Sequence, residues 1–132
     1  MHGIRKTFAL WLEDEELLRG LVATIAEGAP SLDNLEIHWV ADGDEAWNVM
    51  ASSNPDIFIT DLLHPGVSAS QLLEFLSAKH SNVPVGIFSG YAGQREFAVD
   101  RFPHLRLRFL GKPFSREEVV EFLDALVRDL AA

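Results

Sequence analysis

The chain contains no cysteine, which excludes disulfides, thiolate metal sites and cysteine nucleophiles together. That composition suits a reducing cytosol, and a cytoplasmic location is the expectation. No apolar stretch approaches the ~20 residues that a membrane-spanning helix needs, and the longest apolar runs are strand length. Cationic side chains are scarce. Eleven Lys and Arg against twenty Asp and Glu leave a net charge of −9. Binding to a phosphate backbone needs clustered Lys and Arg, so neither a nucleic-acid nor a membrane partner is expected. The start, Met1 to Thr7, carries Arg5 and Lys6 but no long apolar region and no small-residue cleavage site, so it reads as a short lead-in. No repeat, low-complexity tract or linker interrupts the 132 residues, and 48% hydrophobic beside 23% charged residues predicts one globular domain over residues 1–132. Its core is expected to run from about residue 6 to about residue 130.

What is present is an alternation of apolar runs with helical patterns, five times over. The runs are Phe8 to Leu12, Leu35 to Val40, Ile57 to Thr60, Val85 to Phe88 and Leu107 to Leu110. Between the first two, Leu17, Leu18, Leu21, Val22 and Ile25 recur at helical spacing until Gly28-Ala29-Pro30 stops them. Further helices are expected from about Glu45 to Ser52, near Ser68 to Lys79, and from Gln94 to Arg101. The last helix starts at Ser115, with Glu118 three residues on as a capping box. Strands apolar on both faces and linked by helices predict a parallel sheet covered on both sides. Right-handed crossovers reduce the choice to a (βα)5 doubly wound fold with the flavodoxin-like strand order 2-1-3-4-5.

Four of the five runs end on residues able to do chemistry. The first ends on Glu13 and Asp14, the third on Asp61, the fourth on Ser89, and the fifth, after Gly111, on Lys112. In an open parallel sheet, ligands bind beyond the carboxyl ends of the strands. Carboxylates a few Å apart repel by about 4 kcal/mol per pair at an effective dielectric near 20. Such a group is tolerable where a cation neutralises it or a proton is taken up. With oxygen ligands alone, Mg²⁺ or Mn²⁺ is the expected ion. An ionised aspartate beside it can attack phosphorus, with Lys112 and the Ser89 hydroxyl offsetting charge on the phosphoryl oxygens. Taken singly, each residue also has a plainer reading. Glu13 and Asp14 could serve a helix N-terminus, Ser89 a turn, Lys112 the edge of the sheet and Phe109 the core.

In its motifs the chain resembles a receiver domain of two-component response regulators. These are Leu12-Glu13-Asp14-Glu15, Ala41-Asp42-Gly43-Asp44-Glu45-Ala46, Asp56 to Asp61 with Pro65-Gly66 behind, Ser89-Gly90, and Lys112-Pro113-Phe114. The resemblance implies that Asp61 accepts a phosphoryl group from a histidine kinase or a histidine phosphotransfer protein. It implies a metal site of Asp14, Asp61 and the Leu63 backbone carbonyl, with Glu13 acting through water. It also implies Ser89 and Phe109 as a switch pair, Lys112 as the phosphate-binding lysine, and an output protein met through the fourth helix, fifth strand and fifth helix. Homodimer formation stays open. Glu13 stands where aspartate is commoner. Leu63 and Tyr91 occupy two positions that tune phosphoryl loss in that family; both are bulky and neither is a carboxylate or amide that could position water, so a long-lived phosphoryl group is expected. His2, His38, His64, His80 and His104 are scattered and form no recognisable metal set; Trp11, Trp39 and Trp47 read as core or sheet-flank packing.

Other functions fit less well. An aspartyl phosphohydrolase would want a second acid two residues after its nucleophile, where this chain has Leu63. A flavin or nucleotide domain would need a Gly-, Ser- or Thr-rich loop after the first strand, where Glu13-Asp14-Glu15-Glu16 would repel phosphate. A receiver-like module that binds a partner without being phosphorylated remains the alternative.

Overall fold

A computed structural model describes residues 6–79, 82–90 and 92–132; the expectations placed on Met1 to Arg5, His2, His80 and Tyr91 lie outside the described residues. Five parallel strands alternate with five helices: β1 (Thr7–Leu12), α1 (Glu16–Glu27), β2 (Leu35–Val40), α2 (Gly43–Ser52), β3 (Ile57–Thr60), α3 (Ala69–Lys79), β4 (Val85–Ser89), α4 (Ala92–Arg101), β5 (Leu107–Gly111) and α5 (Arg116–Ala131). The sheet order is β2-β1-β3-β4-β5, as the sequence predicts. The direction of the winding reverses between β1 and β3, which opens a crevice at their carboxyl ends.

Register is what places chemistry there. Leu12 pairs with Thr60, so Glu13 and Asp61 leave the sheet side by side. Ser89 pairs with Gly111, and the Lys112 N–H donates to the Ser89 carbonyl at 2.9 Å, so Lys112 follows directly at the same rim.

Two apolar layers hold the sheet. On one face Ala9, Trp11, Ile57, Ile59 and Phe88 pack under α1 and α5; on the other, Leu10, Leu12, Phe58, Val85 and Ile87 pack under α2, α3 and α4. Trp11 is fully buried, its ring 4.8 Å from that of Trp39 and 5.6 Å from that of Phe88. Trp47 lies at the surface against Phe75, with ring centroids 4.5 Å apart. Helix ends follow local chemistry. Asp42 caps α2 by accepting from the Glu45 N–H at 2.9 Å, so the helix starts at Gly43, two residues before the expected Glu45. Ser115 and Glu118 form the expected capping box of α5. The fourth helix likewise starts earlier, at Ala92 instead of Gln94.

Several expectations need correction. Of the apolar stripe in α1, only Val22 and Ile25 are buried, and Leu17 is 90% exposed; periodicity marks a face but does not say how much of it the sheet covers. The edge strands β2 and β5 are covered only in part, because each has a strand neighbour on one side only. Among the described residues, no helix is long and apolar enough to cross a membrane.

Candidate functional site

Asp61 follows the last residue of β3, and its two oxygens have different partners. Oδ1 accepts the Leu63 N–H at 3.0 Å. Oδ2 accepts from the Lys112 ammonium at 2.7 Å. The carboxylate is therefore aimed by a backbone turn on one side and a cation on the other, with part of it still open to solvent. Lys112 also lies 3.5 Å from Glu13 Oε1, and its ammonium stands 4.4 Å from the centre of the Phe88 ring.

Glu13 is 1% exposed. Its Oε2 accepts the Glu15 N–H at 3.1 Å, while Oε1 is buried without a hydrogen-bond donor; Lys112 reaches it as an ion pair only. Burial raises the affinity of the Glu13 carboxyl for a proton. The Glu15 N–H and Lys112 work against this, and the charges of Asp61 and Asp14 reinforce it, leaving the pKa above the ordinary carboxylate value. For Lys112, burial works against the charged form. The hydrogen bond to Asp61 and the charges of Glu13 and Asp61 outweigh it, so the ammonium is held above its usual range.

The structure thus brings Glu13, Asp61 and Lys112 together. Asp14 is exposed, and among the described residues no group of three or more His, Cys, Asp or Glu side chains is drawn close enough to hold a metal. The donor chemistry still fits a hard divalent cation: carboxylate oxygens at one rim, one of them buried and lacking a donor. In the present arrangement it is the lysine ammonium that balances the two acids.

Ser89 ends β4 at the same rim, half-buried. With Gly90, Arg95, Phe109 and Lys112 it lines an open cavity of about 410 Å³. Phe109 is half-buried, packed at the margin of the apolar layer under α4, and the Arg95 guanidinium of α4 lies 4.7 Å from its ring centre. Nothing in the sequence pattern marks Arg95 for that contact. The Leu63 side chain is 60% exposed. His64, in the loop after Asp61, is half-buried, and its Nε2 is enclosed without a hydrogen-bond partner. His104 belongs to no metal set and hydrogen-bonds Ser77.

A further group was not legible in the sequence. The loop after Asp61 rests on the N-terminus of α2, where the Gly43 N–H donates to the Pro65 carbonyl at 2.8 Å. The Val67 N–H donates to Asp44 Oδ1 at 3.0 Å. Gly66 adopts φ +86°, a backbone region that favours glycine.

Comparison with known proteins agrees with this architecture. Residues 9–124 match the family model described as the response regulator receiver domain. The sensory transduction protein RegX3 of Mycolicibacterium smegmatis is 30% identical over 125 residues, covering 92% of this chain and 51% of RegX3. The DNA-binding transcriptional regulator NtrC of Klebsiella pneumoniae is 23% identical over 124 residues, covering 94% of this chain and 25% of NtrC. The chain therefore spans a quarter to about half of these relatives. The solved structure of the chemotaxis response regulator CheY4 of Vibrio cholerae shares the fold with a TM-score of 0.76 at 18% identity, covering 92% of this chain and 98% of that one.

Proposed function

The chain belongs to the response regulator receiver domain family, and from that premise we propose that Asp61 is a phosphoacceptor in a two-component signalling system. The observation that carries this reading is the Asp61 carboxylate at the sheet rim, with Oδ2 2.7 Å from the Lys112 ammonium and Oδ1 held by the Leu63 N–H. One oxygen of Asp61 attacks the phosphorus of a phosphohistidine on a kinase or phosphotransfer protein. The phosphorus–nitrogen bond breaks, and the imidazole leaves with the electron pair. Lys112 then exchanges part of its contact with Asp61 for the incoming phosphoryl oxygens, and the Ser89 hydroxyl donates to another. Mg²⁺ held by Asp14, Asp61 and the Leu63 carbonyl, with Glu13 through water, would supply the remaining positive charge. Movement of Ser89 and Phe109 would then shift the balance between two states of the α4, β5 and α5 surface, where an output protein reads it. The chain acts as a phosphoacceptor, not as an enzyme that turns over a substrate.

The test is incubation with acetyl phosphate and Mg²⁺, read by intact mass beside Asp61→Asn and metal-free controls. One added phosphoryl group, absent from both controls, is the expected result. No added mass in the unaltered protein, despite measurable Mg²⁺ binding, would favour a module that works by partner binding alone.

The phosphoryl group is expected to last for minutes or longer, since the exposed Leu63 side chain beside Asp61 can neither orient nor activate water. Leu63→Asn introduces an amide there and should shorten the lifetime severalfold. Decay within seconds in the unaltered protein, followed by mass spectrometry after donor removal, would sink this expectation.

A further inference from the structure

We infer that Asp44, on α2, is a positioning residue for the Asp61 carboxylate and acts through the loop between β3 and α3; the inference rests on Asp61 being the phosphoacceptor. That loop is fixed at its start by β3. Its far end is fixed by α2. Gly43 donates to the Pro65 carbonyl at 2.8 Å, and Asp44 Oδ1 accepts the Val67 N–H at 3.0 Å. The two segments touch closely enough that a Cβ added to Gly43 would fall 1.9 Å from the Val67 oxygen, and one added to Gly66 would lie 3.0 Å from the Gly43 and Asp44 nitrogens. The N-terminus of α2 is itself braced, because Asp42 caps the Glu45 N–H and Glu45 Oε2 accepts the Ala41 N–H. Leu62 and Val67 tuck into the apolar layer on either side of the turn. Only the short stretch from Leu63 to Gly66 then spans the gap.

The Leu63 N–H is the group that holds Asp61 Oδ1, and Asp61 Oδ2 is left to Lys112. The orientation of the carboxylate therefore depends on where the loop places the Leu63 amide, and α2 sets the loop. An acid in the first turn of a helix ordinarily needs no explanation beyond the helix dipole. Asp44 differs in that its Oδ1 is committed to a backbone N–H 23 residues away, in the segment that aims the acceptor. Productive attack requires a carboxylate held near its reactive geometry, so loosening this anchor should slow the reaction without abolishing it.

Three variants test the coupling: Asp44→Ala, Asp44→Asn and Lys79→Ala. Asparagine keeps an Oδ1 acceptor for Val67. Lys79 donates to the carbonyls of Met50 and Ala51, so its loss loosens α2 at the opposite end. Three quantities are read: phosphoryl uptake from acetyl phosphate with Mg²⁺, hydrogen exchange at the Leu63 amide, and thermal unfolding. Asp44→Ala is expected to slow uptake about five-fold, the effect of losing one hydrogen bond, and to speed exchange at Leu63. Asp44→Asn should stay within about two-fold of the unaltered protein in both, and Lys79→Ala should change neither. Unchanged exchange at Leu63 in Asp44→Ala, or an equal slowing in Lys79→Ala, would overturn the inference. Should the unaltered protein take up no phosphoryl group, the phosphoacceptor reading fails, and Leu63 exchange alone decides whether Asp44 sets the loop.

Discussion

Lys112→Met is expected to slow phosphoryl uptake at Asp61 by about a hundred-fold or more, the loss typical of removing a single charged donor from a transferring group. In the folded protein this ammonium is 2.7 Å from Asp61 and 3.5 Å from Glu13. Methionine preserves much of the stem but removes the ammonium, and with it the contact over the Phe88 ring, so the loss reports on the charge. A second, independent signature lies in stability against pH. Burial already raises the Glu13 carboxyl above its ordinary 4.5, and Lys112 is among the influences that lower it. A carboxyl raised in the folded state contributes most below its unfolded value, and that contribution is lost as pH rises through the folded value. Without Lys112 the Glu13 value rises further, so Lys112→Met should lose more stability between pH 5 and pH 8 than the unaltered protein does. Lys112 itself is raised from its ordinary 10.5; its stabilising contribution is complete below that value and is lost only as pH rises beyond it, outside this window. Thermal unfolding at the two pH values reads the difference. Equal slopes in the two proteins would mean that Lys112 does not govern the ionisation of Glu13, and unchanged uptake would remove it from the transfer reaction.

Much of this site is legible in the sequence, because it depends on where strands end. Apolar runs ending on Glu13, Asp61, Ser89 and Lys112 need only a parallel sheet and the order β2-β1-β3-β4-β5 to meet at one rim. The pairing of Leu12 with Thr60 then makes Glu13 and Asp61 neighbours. Direction within that rim is harder to read. Glu13 and Asp14 are adjacent in sequence, yet one is buried and the other exposed, since successive residues leaving a strand point to opposite sides. A run of two acids shows that charge is present but not which acid faces inward. Phe109 illustrates a second limit. Its apolar character suits core packing, but it lies in the edge strand β5 and is only half-buried against the layer under α4, with the Arg95 guanidinium over its ring. The support of the Asp61 loop by α2 was hidden for a third reason. Gly43 and Asp44 lie more than twenty residues before Val67 and are separated from it by β3, so only the crossover geometry brings them together. Glycine and aspartate at a helix start already have a local explanation, which conceals a long-range one.

Gly43→Ala should have the next largest effect, and on a different property. The added Cβ would stand 1.9 Å from the Val67 oxygen and 2.7 Å from its carbon and nitrogen. All three are backbone atoms, so no side-chain rotation relieves the overlap, and either the loop or the start of α2 must move. Overpacking of this kind costs about 1–3 kcal/mol, which for a domain of this size lowers the unfolding midpoint by several degrees. The displacement falls on the segment that presents the Leu63 N–H to Asp61, so phosphoryl uptake should drop more than ten-fold, beyond the milder release expected of Asp44→Ala. Lost stability alone could also slow uptake, and Leu76→Ala separates the two causes. Leu76 is fully buried in α3, toward the end where Lys79 caps α2, so its truncation leaves a cavity away from the Asp61 rim and costs about 2–5 kcal/mol. Both variants should unfold at lower temperature, but only Gly43→Ala should slow uptake when each is assayed well below its midpoint. If Leu76→Ala slows uptake as much, the loop has no special hold on Asp61 and general loosening of the domain accounts for both. If Gly43→Ala unfolds early yet takes up the phosphoryl group at the normal rate, the loop can shift without turning the carboxylate, and the placement of Asp61 then rests on β3 and Lys112 alone.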